Sequence, residues 1–142
     1  MKRRDFVTAV GMLSAAALAP GRLSAAETPE EAAKTAADAW LALVDKEQYA
    51  ESWDQAAKAF KGAVTRDKWK EAAAAARTPL GKVVSRKLKS RQYTESLPRA
   101  PAGRYVIIEY DTEFEKKPAA VEIVTPMADP DGTWRVSGYF IR

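Results

Sequence analysis

Hydrophobic positions recur at helical spacing through the first half of the chain and at strand spacing through the second. Ala33, Ala36, Ala37, Trp40 and Val44 fall at i, i+3, i+4, i+7 and i+11, the stripe of an amphipathic helix. Thr28-Pro29-Glu30-Glu31 supplies its start: a capping hydroxyl, a proline suited to the first helical position, and two carboxylates at the positive end of the dipole. A second helix is expected through Tyr49, Trp53, Ala56, Ala57, Phe60 and Val64. Thr65-Arg66-Asp67 caps a third, from Asp67 to Ala76, with Trp69, Ala72, Ala73 and Ala76 inward, and Thr78-Pro79-Leu80-Gly81 stops it.

Past Pro79 the period changes to two. Val83 to Tyr93 alternates, with Val84, Arg86 and Leu88 on one side and Lys87, Lys89 and Arg91 on the other. Tyr105 to Phe114 sets Val106, Ile108, Tyr110 and Phe114 against Glu109, Asp111 and Glu113, as a half-buried strand requires. Lys116-Lys117-Pro118 turns the chain into a third strand, Ala119 to Met127, with Val121, Ile123, Thr125 and Met127 on one face. Asp129-Pro130-Asp131-Gly132 is a turn, and Trp134 to Ile141 the last strand. Three helices followed by four strands predict an α+β domain with an antiparallel sheet.

Residues 1–26 read as an address and residues 27–142 as the domain. Met1-Lys2-Arg3-Arg4 is a positive n-region, Val10 to Leu18 a short apolar run, and Ser24-Ala25-Ala26 an A-x-A-like site with cleavage after Ala26. The apolar run is well short of the roughly 20 residues that span a bilayer. Arg3-Arg4-Asp5-Phe6-Val7 resembles the twin-arginine export signal, the motif residues being Arg3, Arg4 and Phe6; an ordinary secretory signal beginning Lys-Arg-Arg is the alternative. Either route predicts a periplasmic protein with no stable membrane anchor after cleavage.

That leader also changes the charge. The chain carries 23 Lys+Arg against 19 Asp+Glu, a net +4. Lys2, Arg3, Arg4 and Arg22 leave with the leader and take only Asp5 with them, so the domain keeps about +1. A nucleic-acid partner loses its electrostatic support. The 142 residues contain no His and no Cys, which excludes a disulfide framework, a Cys/His zinc site, a cysteine nucleophile and a histidine general base. No cofactor is expected. Asp129-Pro130-Asp131-Gly132, the compact acidic loop, lacks EF-hand spacing and reads as a hairpin turn.

An ordered series runs through the domain: Trp40 to Asp45, Tyr49, Ser52-Trp53, Phe60 to Val64, Trp69, Arg77-Thr78-Pro79-Leu80-Gly81, Arg86, Leu97-Pro98, Gly103-Arg104-Tyr105, Phe114, Glu122, and the closing Gly132 to Ile141. It resembles the bacterial family known as domain of unknown function 4019, most specifically in the R-x-P-L-G element and the closing W-R-V-x-G-Y motif. That resemblance implies no activity. More loosely, helices followed by a curved sheet resemble the nuclear transport factor 2-like, cystatin-like superfamily, which implies a cone closed by helices whose interior can be a pocket.

The candidate pocket residues are Arg86, Trp53, Tyr110 and Glu122. Arg86 shares a face with Val84 and Leu88, so its guanidinium is expected to point inward and to need a partner among Glu122, Glu109 and Asp111. It would then be an anion-binding arginine or one half of a structural ion pair. Trp40, Trp53, Trp69 and Trp134 fit core packing better than a ligand pocket. An enzyme would have to draw on Asp45 and Asp54, or on Tyr105, Tyr110 and Tyr139. The sequence therefore predicts a non-catalytic module binding a small ligand or a periplasmic protein, with a small Asp/Tyr enzyme as the alternative.

Overall fold

The computed structural model describes residues 27–142; the leader, with Arg3, Arg4, Phe6 and the cleavage position Ala26, lies outside the described residues. The described residues form four helices, not three: α1 (Pro29–Asp45), α2 (Tyr49–Asp54), α3 (Lys58–Ala63) and α4 (Arg66–Arg77), then a short 3₁₀ turn at Thr78–Leu80. Four strands follow, β1 (Val83–Thr94), β2 (Tyr105–Phe114), β3 (Lys117–Ala128) and β4 (Trp134–Ile141). They make one antiparallel sheet in the order β1-β2-β3-β4. Among the described residues no helix is long and apolar enough to cross a membrane.

Thr28 caps α1 by accepting the Glu31 N–H, and Thr65 caps α4 by accepting the Lys68 N–H. The expected second helix breaks at Gln55-Ala56-Ala57. There the Ala57 N–H leaves the helical ladder to donate to the Val136 carbonyl of β4 at 2.8 Å. The Asp129 carboxylate, from the β3–β4 turn, then accepts the first free N–H of α3, at Lys58. A tertiary bond and a borrowed cap outweigh local helix propensity at this point.

Two strand expectations also need correction. On β3 the face that meets the helices carries Ala120, Glu122 and Val124, paired with Thr112, Tyr110 and Ile108 of β2. Val121, Ile123 and Thr125 lie on the other side of the pleat. The turn before β3 is shorter than expected, since Lys117 and Pro118 already belong to the strand. On β1, register shifts leave Val84 and Lys89 without direct partners; Val84 is 59 % exposed and does not share the inward face of Arg86.

The core is aromatic. Trp40 packs against Phe60, Trp69 and Tyr139 with ring centroids 6.3, 5.7 and 5.2 Å away. The indole N–H groups of Trp40 and Trp69 both end on Ser52, on its carbonyl and its hydroxyl, each at 2.8 Å. Val44, Val106, Ile108 and Val124 complete the packing, so helices and sheet close on a filled interior.

Candidate functional site

Each strand contributes one polar side chain to a cluster on the inward face of the sheet. Arg86 stands on β1 opposite Thr112 on β2. Glu122 on β3 lies diagonal to Thr112, and Tyr139 on β4 pairs with Val124, two residues beyond Glu122. Diagonal neighbours on one sheet face are within reach of long side chains. Glu122 is fully buried, and both its oxygens are occupied. Oε1 accepts Arg86 Nε at 2.7 Å and Thr112 Oγ1 at 2.6 Å; Oε2 accepts Arg86 Nη2 at 3.2 Å and the Tyr139 hydroxyl.

The helices extend the cluster. Asp45, the last residue of α1, takes Arg86 Nη1 and Nη2 at 2.9 and 3.0 Å and Arg77 Nη2, from the end of α4, at 2.8 Å. Burial works to raise the Asp45 carboxyl, and the Arg86 and Arg77 guanidiniums outweigh it, holding it below its usual range. Burial likewise opposes the charge on Arg86, and the Asp45 and Glu122 carboxylates override it and raise its pKa. Two arginines and two carboxylates thus balance in one chain of contacts.

Arg86 and Glu122 therefore meet as the sequence suggested, but as a structural ion pair: every nitrogen of Arg86 is taken by protein oxygens. Tyr110 stands beside them and donates instead to Asp38 Oδ1 on α1 at 2.6 Å. Trp53 is not part of the network; its indole N–H ends on the Val64 carbonyl at 2.8 Å. Among the other acid–base candidates, Asp54 pairs with Arg66 and Tyr105 donates to the Pro101 carbonyl.

Sequence reasoning missed Arg77. It is 6 % exposed, its guanidinium carbon sits 5.0 Å from the Phe114 ring centre, and its Nε and Nη1 are buried without a partner. The signal was present: Trp69, Ala73 and Arg77 fall at i, i+4 and i+8 and are the buried residues of α4. The expected inward positions Ala72 and Ala76 instead face a groove. Arg77 lines a separate cleft of about 570 Å³ with Asp45, Lys46, Tyr49, Thr78 and Lys82.

The groove, of about 490 Å³, lies between α4 and β4 and is lined by Trp69, Ala72, Ala73, Ala76, Tyr139 and Ile141 among others. β4 is an edge strand. Arg142 and Val121 exchange both backbone bonds, at 3.0 and 2.9 Å, which sets the phase of the ladder. In an antiparallel pair the bonds alternate, so Phe140 and Gly138 bond β3 while Tyr139 and Ile141 turn their N–H and C=O groups to the open edge. The Val136 carbonyl on that edge is taken by Ala57; Tyr139 and Ile141 have no backbone partner there among the described residues.

The opposite edge is guarded. Lys87, Lys89 and Arg91 of β1 are exposed and its two register shifts twist the strand, devices that discourage edge pairing. β4 carries no lysine and exposes Phe140 to 56 %.

Residues 36–139, well over half the chain, match the model of a family described as a protein of unknown function, DUF4019. No curated protein and no solved structure matches the chain significantly.

Proposed function

The chain belongs to the DUF4019 family, whose description assigns no activity, and from its geometry we propose that it is a non-catalytic module that captures an extended segment of a partner polypeptide along β4. One observation carries this reading: the unpaired Tyr139 and Ile141 edge of β4 runs beside an apolar groove, while the β1 edge is guarded by charge and bulges. An added strand would gain main-chain bonds from that edge, and alternate side chains would enter the groove walled by the small Ala72, Ala73 and Ala76. The architecture fits a nuclear transport factor 2-like cone whose interior is filled by its own aromatic residues. The alternative, an enzyme using Asp and Tyr in a cone pocket, gains no support from Glu122, whose oxygens are saturated by protein donors.

A peptide library displayed on phage tests the capture. Enriched peptides are expected to alternate apolar residues and to protect the Tyr139 and Ile141 amides from hydrogen exchange by at least tenfold. Backbone N-methylation of the peptide should abolish that protection. Enrichment with protection elsewhere, or none at all, would sink the reading.

The partner would be met outside the cytoplasm, since the leader supports export to a periplasm. Changing Arg3 and Arg4 together to lysine is expected to retain the protein in the cytoplasm on cell fractionation, because the twin-arginine route requires the pair. Undiminished export of that variant would assign the ordinary secretory route instead.

A further inference from the structure

We propose that the cleft at the junction of α1, α4 and the start of β1 binds a small oxyanion, with Arg77 as the residue that receives it. This stands apart from the β4 edge and survives if that reading fails. The first observation is an unmet need. Arg77 is 6 % exposed, and only its Nη2 has a carboxylate partner; Nε and Nη1 are buried with none. Buried donors in native proteins are normally satisfied, and an exception calls for an acceptor.

Much of the acceptor capacity around Arg77 is already spent. Both Asp45 oxygens are engaged by Arg77 and Arg86. Glu115, at the cleft wall, spends Oε1 on the Lys82 N–H at 2.7 Å. Gly81 keeps that arrangement in place: it sits at φ +77°, and a Cβ there would come within 2.8 Å of the Glu115 carboxylate.

The second observation is charge. The buried network is balanced, two arginines against two carboxylates, so an added anion needs compensation from outside it. Lys46 and Lys82 line the same cleft alongside Glu47 and Glu115, and neither lysine forms an ion pair among the described residues, so both ammonium groups are available to turn to an added anion. Guanidinium and ammonium groups together favour a carboxylate or a phosphate, whose shared chemistry is an oxygen-borne negative charge. The cleft also gathers Arg77, Thr78 and Gly81 of the R-x-P-L-G element, which the β4 reading leaves unused. Because Nε and Nη1 are covered by protein atoms, a ligand reaches them only with a shift of cleft side chains.

The test follows the Arg77 Nε–Hε resonance in the purified protein, identified by its loss in Arg77→Lys, while sodium acetate or inorganic phosphate is titrated at constant ionic strength against sodium chloride. A saturable shift with acetate marks a carboxylate ligand, with phosphate a phosphate ligand; either supports the site. The Lys46→Ala/Lys82→Ala variant, altered only at exposed positions, should raise the midpoint about fivefold. A linear drift matching chloride with both anions would overturn the proposal. So would a midpoint unmoved in the double lysine variant, which would place the anion elsewhere.

Discussion

Glu122→Ala is expected to lower folding stability by about 4 kcal/mol, a large part of the 5–15 kcal/mol that a domain of this size has in total. The size follows from what is stranded. Glu122 is fully buried and holds Arg86, Thr112 and Tyr139 at once. Truncation leaves Arg86 with Asp45 alone, and leaves a buried hydroxyl on each of two neighbouring strands without an acceptor, at about 1–3 kcal/mol apiece before relaxation. Urea unfolding followed by circular dichroism should show a lower midpoint at unchanged slope. The cost belongs to breaking the pair and does not measure what the pair adds. Replacing the whole set together, Arg86, Glu122, Asp45 and Arg77 by apolar residues of similar volume with Thr112→Val and Tyr139→Phe, should recover much of it, because no buried charge or hydroxyl is then left without its partner. A loss below 1 kcal/mol for Glu122→Ala would mean that the network is loosely held and open to an exchangeable role.

The same network marks where sequence patterns stop being informative. Strand period two put Arg86 on the inward face and Tyr110 on the face with Val106 and Ile108, and both hold. On β3 the apolar alternation Val121-Ile123-Thr125-Met127 misled, because the inward face carries a glutamate at its centre. A buried charge looks like a surface residue until its partners are known, and these come from β1, β2, β4 and α1, with sequence separations of 36, 10, 17 and, through Arg86, 41. Local pattern contains no information at that range.

Helix ends tell a similar story. Thr28 and Thr65 were legible because a cap is a local bond, made over three residues. The break at Ala57 was not, because it is made by Val136 and Asp129, each more than seventy positions away. Arg77 was missed for a different reason. An arginine after Ala76 looks like a favourable C-terminal charge on the helix dipole, and its fit to the i, i+4, i+8 stripe is overridden by the expectation that charges face solvent. The groove and the unpaired edge depend on strand order and ladder phase, which no single strand's pattern encodes.

Raising the pH should unfold the protein earlier than its net charge would suggest, because two phenols are neutral only in the fold. Burial pushes the Tyr139 hydroxyl up first, and the neighbouring Glu122 carboxylate adds to it; burial also raises Tyr110, with its bond to Asp38 acting in the same direction. Both folded values lie far above the unfolded value near 10. A group whose folded pKa is raised contributes stability that is intact below its unfolded pKa. The loss begins as the pH passes about 10 and continues until the folded pKa is reached. Each phenol approaches a cost of about 1.4 kcal/mol per pH unit once the unfolded form is mostly ionised, so the pair removes about 2 kcal/mol between pH 10 and 11 and more per unit above that. Phenolate absorbance at 295 nm, recorded beside circular dichroism, separates the two classes of tyrosine. Tyr110 and Tyr139 should ionise only as the fold melts, in one cooperative step. Tyr139→Phe should remove half the slope. It also withdraws one donor from Glu122, which keeps three others, so its cost at neutral pH should stay well below that of Glu122→Ala. Ionisation of all five tyrosines in a fold that stays intact would show that neither phenol is sealed against the carboxylate beside it.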